Sequence, residues 1–239
     1  MTRHSDREYT QALYDKVQGM TVGGEMARWA TAVQPDLALA LFLADERQTG
    51  RELRKMKKFR FQLLHRWLLA HIEPCRVADI GGGKGLLAYL LQQSGWQATV
   101  IDPEPQLLPD KYKDIFTDER VRIPATAVVP HIDAPFATQM GRHFDLLIGM
   151  HAHGSNAQII DAADEYGCGF ILFPCCVIDE PFFPPLGVDW LESVAGYAVQ
   201  QGHAVYPFRL NFKGQNIGLC SLGRRVRQRG ERGEGRGEK

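Results

Sequence analysis

Arg76-Val77-Ala78-Asp79-Ile80-Gly81-Gly82-Gly83-Lys84-Gly85-Leu86-Leu87 is the stretch that decides the fold. A short apolar run leads into a turn built of glycines, and a helix is expected to begin near Lys84. Glycine reaches positive φ without strain and lets a ligand lie against bare backbone. The free amides at the start of the helix attract negative charge. A second apolar run, Ala98-Thr99-Val100-Ile101, ends in Asp102. An acid at the tip of the second strand, about twenty residues after a glycine turn, is placed to grip the two hydroxyls of a ribose. Strand, glycine turn, helix, strand and acid together read as a nucleoside-binding half-site.

The glycine spacing separates two kinds of nucleoside site. Dinucleotide sites use Gly-x-Gly-x-x-Gly, with the last glycine inside the helix. Here the residue three after Gly83 is Leu86, and Gly85 comes one position early. Asp79 also puts a negative charge where a pyrophosphate would be repelled. The pattern resembles motif I of class I S-adenosylmethionine (SAM) methyltransferases, D/E-x-G-x-G-x-G, matched by Asp79, Gly81, Gly83 and Gly85. The resemblance implies SAM as cofactor, with Asp79 near its cationic methionine end and Asp102 on the ribose. The cofactor-binding residues it implies are Asp79, Gly81, Gly82, Gly83, Gly85, Asp102, Pro103 and Met150.

The chain has 239 residues, 44% of them hydrophobic, with 28 basic and 28 acidic side chains. That suits one α/β domain with extensions and leaves no global field to select a partner. No leader-like segment or membrane-length apolar run is evident, and the five cysteines do not form a secreted disulfide framework, so a cytoplasmic location is expected. The expected division is a helical cap over residues 1–70, a SAM-binding domain over 71–223 and a disordered basic tail over 224–239. Within the cap, short helices are expected at Thr10–Val17, Glu25–Val33 and from Pro35, and a long amphipathic helix from Arg51 to His71.

Beyond Asp102 the pattern alternates strand and helix. A third strand is expected within Val121–Val129, interrupted by Pro124, a fourth over Phe144–Met150 and a fifth over Gly169–Phe173. Helices are expected from Ser155 to Tyr166 and from Val188 to Gln201. His203–Phe212 and Ile217–Leu222 read as an antiparallel hairpin. The expected fold is therefore a Rossmann-like, seven-stranded, mostly parallel sheet with a C-terminal antiparallel hairpin, which is how the methyltransferase sheet usually closes.

Ligands of open α/β sheets sit outside the carboxyl ends of the strands. This groups the glycine turn with Met150-His151-Ala152-His153-Gly154-Ser155-Asn156 and Pro174-Cys175-Cys176. His151 is the expected catalytic residue, as a base or as a positioner of the acceptor; the alternative is a histidine that only braces its loop. Gly-Gly-Lys-Gly, Met-His-Ala-His-Gly and Pro-Cys-Cys together resemble one branch of the superfamily. That branch carries Gly-x-Gly-Lys-Gly, a His-Ala-Cys-Gly loop and a Cys-Cys strand end, and it includes tRNA 2'-O-methyltransferases. The resemblance spans about Lys58 to Val177, and His153 departs from it by replacing the usual cysteine. His151, His153, Cys175 and Cys176 are also zinc-compatible in type. Adjacent cysteines on an extended strand point to opposite faces, however, so both can ligate only if the strand has ended, and no metal is expected. A cysteine nucleophile is a further alternative, and a pocket wall is the plainer reading of the pair.

Seven basic residues (Arg51, Arg54, Lys55, Lys57, Lys58, Arg60 and Arg66) mark the helix that leads into the first strand. Such a face can follow a phosphate backbone or simply be solvated. The expected substrate-binding residues are Lys58, Arg60, Gln62, His153, Asn156, Cys175 and Cys176. The leading expectation is methyl transfer from SAM to an RNA, tRNA above all. A small-molecule or protein methyltransferase with a helical lid, and a SAM-binding partner subunit without turnover, remain as alternatives.

Overall fold

The structure is a computed structural model and describes residues 6–19 and 57–229. The helices expected at Glu25–Val33 and from Pro35, and the first basic residues from Arg51, lie outside the described residues. Helix α1 spans Asp6–Gly19 and, after a 3-10 turn at Lys57–Phe59, α2 spans Arg60–His71. The expected half-site follows as β1 (Arg76–Ile80), α3 (Leu86–Gln92) and β2 (Gln97–Ile101). Next come β3 (Lys111–Lys113), β4 (Arg120–Arg122), β5 (His131–Ile132) and β6 (Leu146–Met150). The chain closes with α4 (Asn156–Tyr166), β7 (Gly169–Phe173), α5 (Trp190–Gln200), β8 (Tyr206–Arg209) and β9 (Ile217–Ser221).

Seven strands form one sheet in the order β5-β2-β1-β6-β7-β9-β8. Strands β5, β2, β1, β6 and β7 pair in parallel, whereas β9 is antiparallel to both β7 and β8. The closing hairpin is thus present. The order reverses across β1, so the crevice beside its carboxyl end is the topological switch point where such sheets bind ligands.

Alternation along the strands builds two cores. Val77, Leu146, Ile148 and Ile171 face α2 and α3 through Leu64, Leu68, Leu87 and Leu91. Ala78, Leu147, Phe170 and Leu172 face α1, α4 and α5 through Leu13, Ile160 and Val194. Trp67 of α2 stacks on Phe208 of β8 at 4.3 Å between centroids. Because α2 is packed into the first core, the boundary expected at residue 70 falls inside one packed unit.

Two expectations are corrected. Residues 120–122 do not enter the main sheet; they pair with 111–113 in a separate antiparallel ribbon. Pro124 and Pro130 bracket the exposed stretch after that ribbon, and the true third position is taken by the two-residue β5. The second correction is at the C-terminus, where the tail is ordered through Arg229. Arg225 Nη1 donates to the carbonyls of Arg142 (3.0 Å) and Phe144 (3.1 Å), and the Arg229 amide donates to the His71 carbonyl at 2.9 Å. These arginines satisfy carbonyls at loop and helix ends, a use that a charge-rich composition does not reveal.

Gly223 makes that return possible, because a Cβ there would lie 2.0 Å from the Cys168 carbonyl carbon. Gly223→Ala is expected to lower stability by about 3 kcal/mol or more, through overpacking against backbone. Urea denaturation at constant m-value checks this.

Candidate active site

The glycine turn is fixed by its neighbours before any ligand arrives. The Gly81 amide donates to the Ile101 carbonyl at 2.8 Å, and the Gly83 amide donates to Asp102 Oδ2 at 2.9 Å. Asp102 Oδ1 accepts from the Glu104 amide at 3.0 Å, so this carboxylate holds the tips of β1 and β2 together. Gly81, Gly83 and Gly85 have φ of 64°, 53° and 72°, which explains why the turn uses glycine at all three. Gly82 is glycine for another reason, since a Cβ there would lie 2.7 Å from Asp79 Cγ and Oδ2.

Asp79 is 1% exposed and shares the strand face of Val77, beneath the start of α2. The Ala88 amide, near the start of α3, donates to its carboxyl group, whereas Oδ2 has no hydrogen-bond partner among the described residues. Burial pushes its pKa up to about 7, and Asp102 adds to the rise against the pull of the Ala88 amide and Arg60. A buried carboxylate with a free oxygen calls for a cationic or hydrogen-donating ligand. The ammonium of a bound SAM fits that demand, and the Cβ-free backbone of Gly82 leaves room beside it. Pro103 lies exposed at the tip beyond Asp102, and Met150 is the buried last residue of β6. Asp133, just past β5, bonds His131 Nδ1 at 2.6 Å and adds an acid on the Asp102 side. Its strand is too short to give a periodic signal, so the sequence does not single it out.

His151 stands directly after β6 with φ of 63°, a left-handed conformation unusual for a residue with a side chain. Both ring nitrogens are buried and lack partners among the described residues, and the ring meets Phe212 edge-on at 6.4 Å. Burial pushes its pKa down to about 4, with Lys57, Arg60 and His153 acting in the same direction. It is a neutral imidazole with acceptor and donor both unused. Arg60, whose Nε is likewise buried without a partner, sits over the Phe61 ring at 4.1 Å and near enough to Asp79 to interact with it.

The structure distributes the other expected substrate residues unevenly. Gln62 is buried, donates to the Lys113 carbonyl at 2.8 Å and accepts from the Ile115 amide at 2.9 Å, so it anchors the β3–β4 ribbon. Asn156 is also buried and donates through its backbone (2.9 Å) and side-chain nitrogens to Glu180. Glu180 also accepts from the Ala157 amide at 3.2 Å, capping α4 from the segment after β7. No local pattern marks Glu180, because its partners lie more than twenty residues upstream. Lys58 is exposed, with its ammonium 5.1 Å from the Phe59 ring centroid. His153, Cys175 and Cys176 come together: Cys176 Sγ is 3.0 Å from His153 Nδ1, and Cys175 Sγ is 3.7 Å from Cys176 Sγ. Burial, then Cys176, pushes the Cys175 thiol up to about 11, which does not favour it as an unaided nucleophile.

No protein-family profile matches the chain. A curated relative from Caenorhabditis elegans, a probable tRNA (uracil-O(2)-)-methyltransferase, is 33% identical over 108 residues, 44% of this chain. The chain spans only 18% of that relative's length. Among solved structures, a SAM-dependent methyltransferase from Agrobacterium tumefaciens is 9% identical, with a TM-score of 0.38 over 73% of this chain and 65% of that one. The 1,6-didemethyltoxoflavin-N1-methyltransferase of Burkholderia thailandensis is 13% identical, with a TM-score of 0.38 over 88% and 92% of the two chains.

The ligand-free state has a pH signature. The folded protein holds a proton on Asp79 up to about pH 7, whereas an unfolded aspartate releases it near pH 4. The stability linked to Asp79 is therefore full below pH 4 and is lost as pH rises through 7. Asp79→Asn is expected to raise the ligand-free Tm at pH 8 by a few degrees, about 1–2 kcal/mol, and to flatten the decline between pH 5 and 8. Calorimetric scans of both proteins at the two pH values check it. The strand order, parallel from β5 to β7 and closed by the antiparallel β9 and β8, is that of the Rossmann-like, seven-stranded methyltransferase sheet expected from the sequence.

Proposed function

We propose that the chain transfers a methyl group from SAM to an RNA, with tRNA as the first acceptor to test. The observation that carries the reading is one end of the sheet, where a buried, half-satisfied Asp79, a glycine turn and Asp102 adjoin an unpartnered His151 at the carboxyl ends of β1, β2 and β6. Bound SAM supplies an electrophilic methyl on its sulfonium. Asp79 receives the amino group and Asp102 the ribose hydroxyls. His151 aligns an acceptor hydroxyl and takes up the proton that its oxygen loses on methylation.

RNA is favoured by the likeness of part of the chain to the tRNA methyltransferase of the worm, and by Lys57 and Lys58 at the cavity mouth. Lys57 is close enough to act electrostatically on both His151 and Cys175. A small apolar acceptor is the second reading, favoured by Ile178, Phe183 and Leu186, which are large, apolar and exposed on the segment after β7.

Asp102→Ala is expected to weaken binding of SAM or S-adenosylhomocysteine about ten- to a hundredfold, through lost ribose contacts and a loosened turn. Unchanged affinity by calorimetry, or tighter binding of NAD, would overturn the cofactor assignment. His151→Ala is expected to lower turnover about 10²- to 10⁴-fold with cofactor affinity intact. Full activity in that variant refutes its role. Lys57→Glu with Lys58→Glu is expected to cut RNA binding and flatten its salt dependence while sparing SAM. Insensitivity to both salt and charge reversal points to the small acceptor, and comparison of modified nucleosides in cells with and without the gene identifies the methylated position.

A further inference from the structure

We propose that His153, Cys175 and Cys176 bind one zinc ion, which ties the loop after β6 to the segment after β7. The three residues offer ligand atoms that all lie within 4.8 Å of one another, and they form the one such grouping among the described residues. Cys175 Sγ and Cys176 Sγ are 3.7 Å apart, and Cys175 Sγ is 3.7 Å from His153 Nε2. Tetrahedral zinc, with bonds of about 2.3 Å to sulfur and about 2.0 Å to nitrogen, holds two sulfurs about 3.8 Å apart and sulfur and nitrogen about 3.5 Å apart. The sulfur spacing is already that of a loaded site. The imidazole supplies one nitrogen, and a small ring adjustment opens the 3.0 Å separation between Cys176 Sγ and His153 Nδ1.

The objection from sequence, that neighbouring cysteines point apart on a strand, does not apply. Strand β7 ends at Phe173, and beyond Pro174 the backbone is no longer extended in the sheet, so both thiols reach the same histidine. The two segments that carry the ligands are also fixed to each other. Glu180 bonds the Asn156 and Ala157 amides, and a Cβ on Gly154 would lie 2.8 Å from Asp179 Cβ. These braces sit within a few residues of every ligand, so the ligand geometry is held before metal arrives. His151 is outside the group and stays available to the acceptor. Two thiolates and an imidazole select zinc over hard cations such as magnesium or calcium. Uptake of one ion releases a proton from each thiol and changes no oxidation state. With three protein ligands, the fourth position is left for water.

The proposal does not depend on the methyl-transfer reading, and its readout is metal rather than activity. Full-length protein is purified without a metal-affinity tag or chelator, reduced and loaded with Zn²⁺. Elemental analysis is expected to give about one equivalent per chain. Co²⁺ in place of zinc is expected to show thiolate-to-metal absorption in the near ultraviolet. Cys175→Ser, Cys176→Ser and His153→Ala are each expected to weaken Zn²⁺ binding at least about a hundredfold in competition with a chromophoric chelator. Cys75→Ser and His143→Gln are expected to leave it unchanged. Zinc is further expected to protect Cys175 and Cys176 of the unsubstituted protein from alkylation, a test that requires no variant to fold. Reduced wild-type protein that takes up no zinc or cobalt overturns the proposal. So does a His153→Ala protein of wild-type affinity, or alkylation of both thiols at the same rate with and without zinc.

Discussion

A carboxylate buried beneath a turn that has no side chains is the constraint on which the site depends. Asp79 points from β1 toward the start of α3, giving one oxygen to a helix amide and leaving the other without a partner. Its bulk forbids any Cβ at residue 82, and the turn's φ values favour glycine at 81, 83 and 85. Burying such a group costs stability unless a ligand completes it. The second acid, Asp102, has the opposite character. Two backbone amides already bond it, so it is a structural clamp whose position is set by the fold itself.

Much of this architecture was legible because local signals and long-range packing agreed. The half-site from Arg76 to Asp102 carries apolar strands, obligatory glycines and an acid at fixed spacing, and each is a property of neighbouring residues. Gly169–Phe173 was equally clear, being a continuous apolar run buried on both faces. What escaped was decided by distant partners. The stretch from Val121 looked like a sheet strand by composition, yet its first residues pair with 111–113, and the sheet position went to two residues whose only qualification is the neighbour they meet. Gln62 and Asn156 sit beside the site in sequence order, but their amides are taken by Lys113, Ile115 and Glu180. Glu180 itself could not be found without the fold, since nothing near it in the chain requires an acid.

Charge counted along the sequence also overstates the surface it produces. Of the basic residues in the stretch that ends in α2, Arg60 turns inward toward Asp79 and Phe61, and the Arg66 guanidinium lies 5.1 Å from the Phe116 ring centroid. Arg225 and Arg229 of the tail are likewise occupied with backbone carbonyls. Among the described residues of the basic stretch, Lys57, Lys58 and Arg66 are exposed, and Lys57 lies near enough to act on His151 and Cys175.

The loop after β6 and the segment after β7 form one braced unit rather than two loops. His151 occupies a left-handed conformation, and Asp179 another, at φ of 63° and 61°. Positions of this kind in residues with side chains cost on the order of 1–3 kcal/mol and persist only where the surroundings over-determine them. Here the surroundings are identifiable. The buried end of β6 holds His151 from one side, Glu180 fixes the first turn of α4 on the other, and Gly154 lets Asp179 approach within contact. The bonds from the segment after β7 therefore hold the turn that follows this left-handed residue from twenty-odd residues further along the chain.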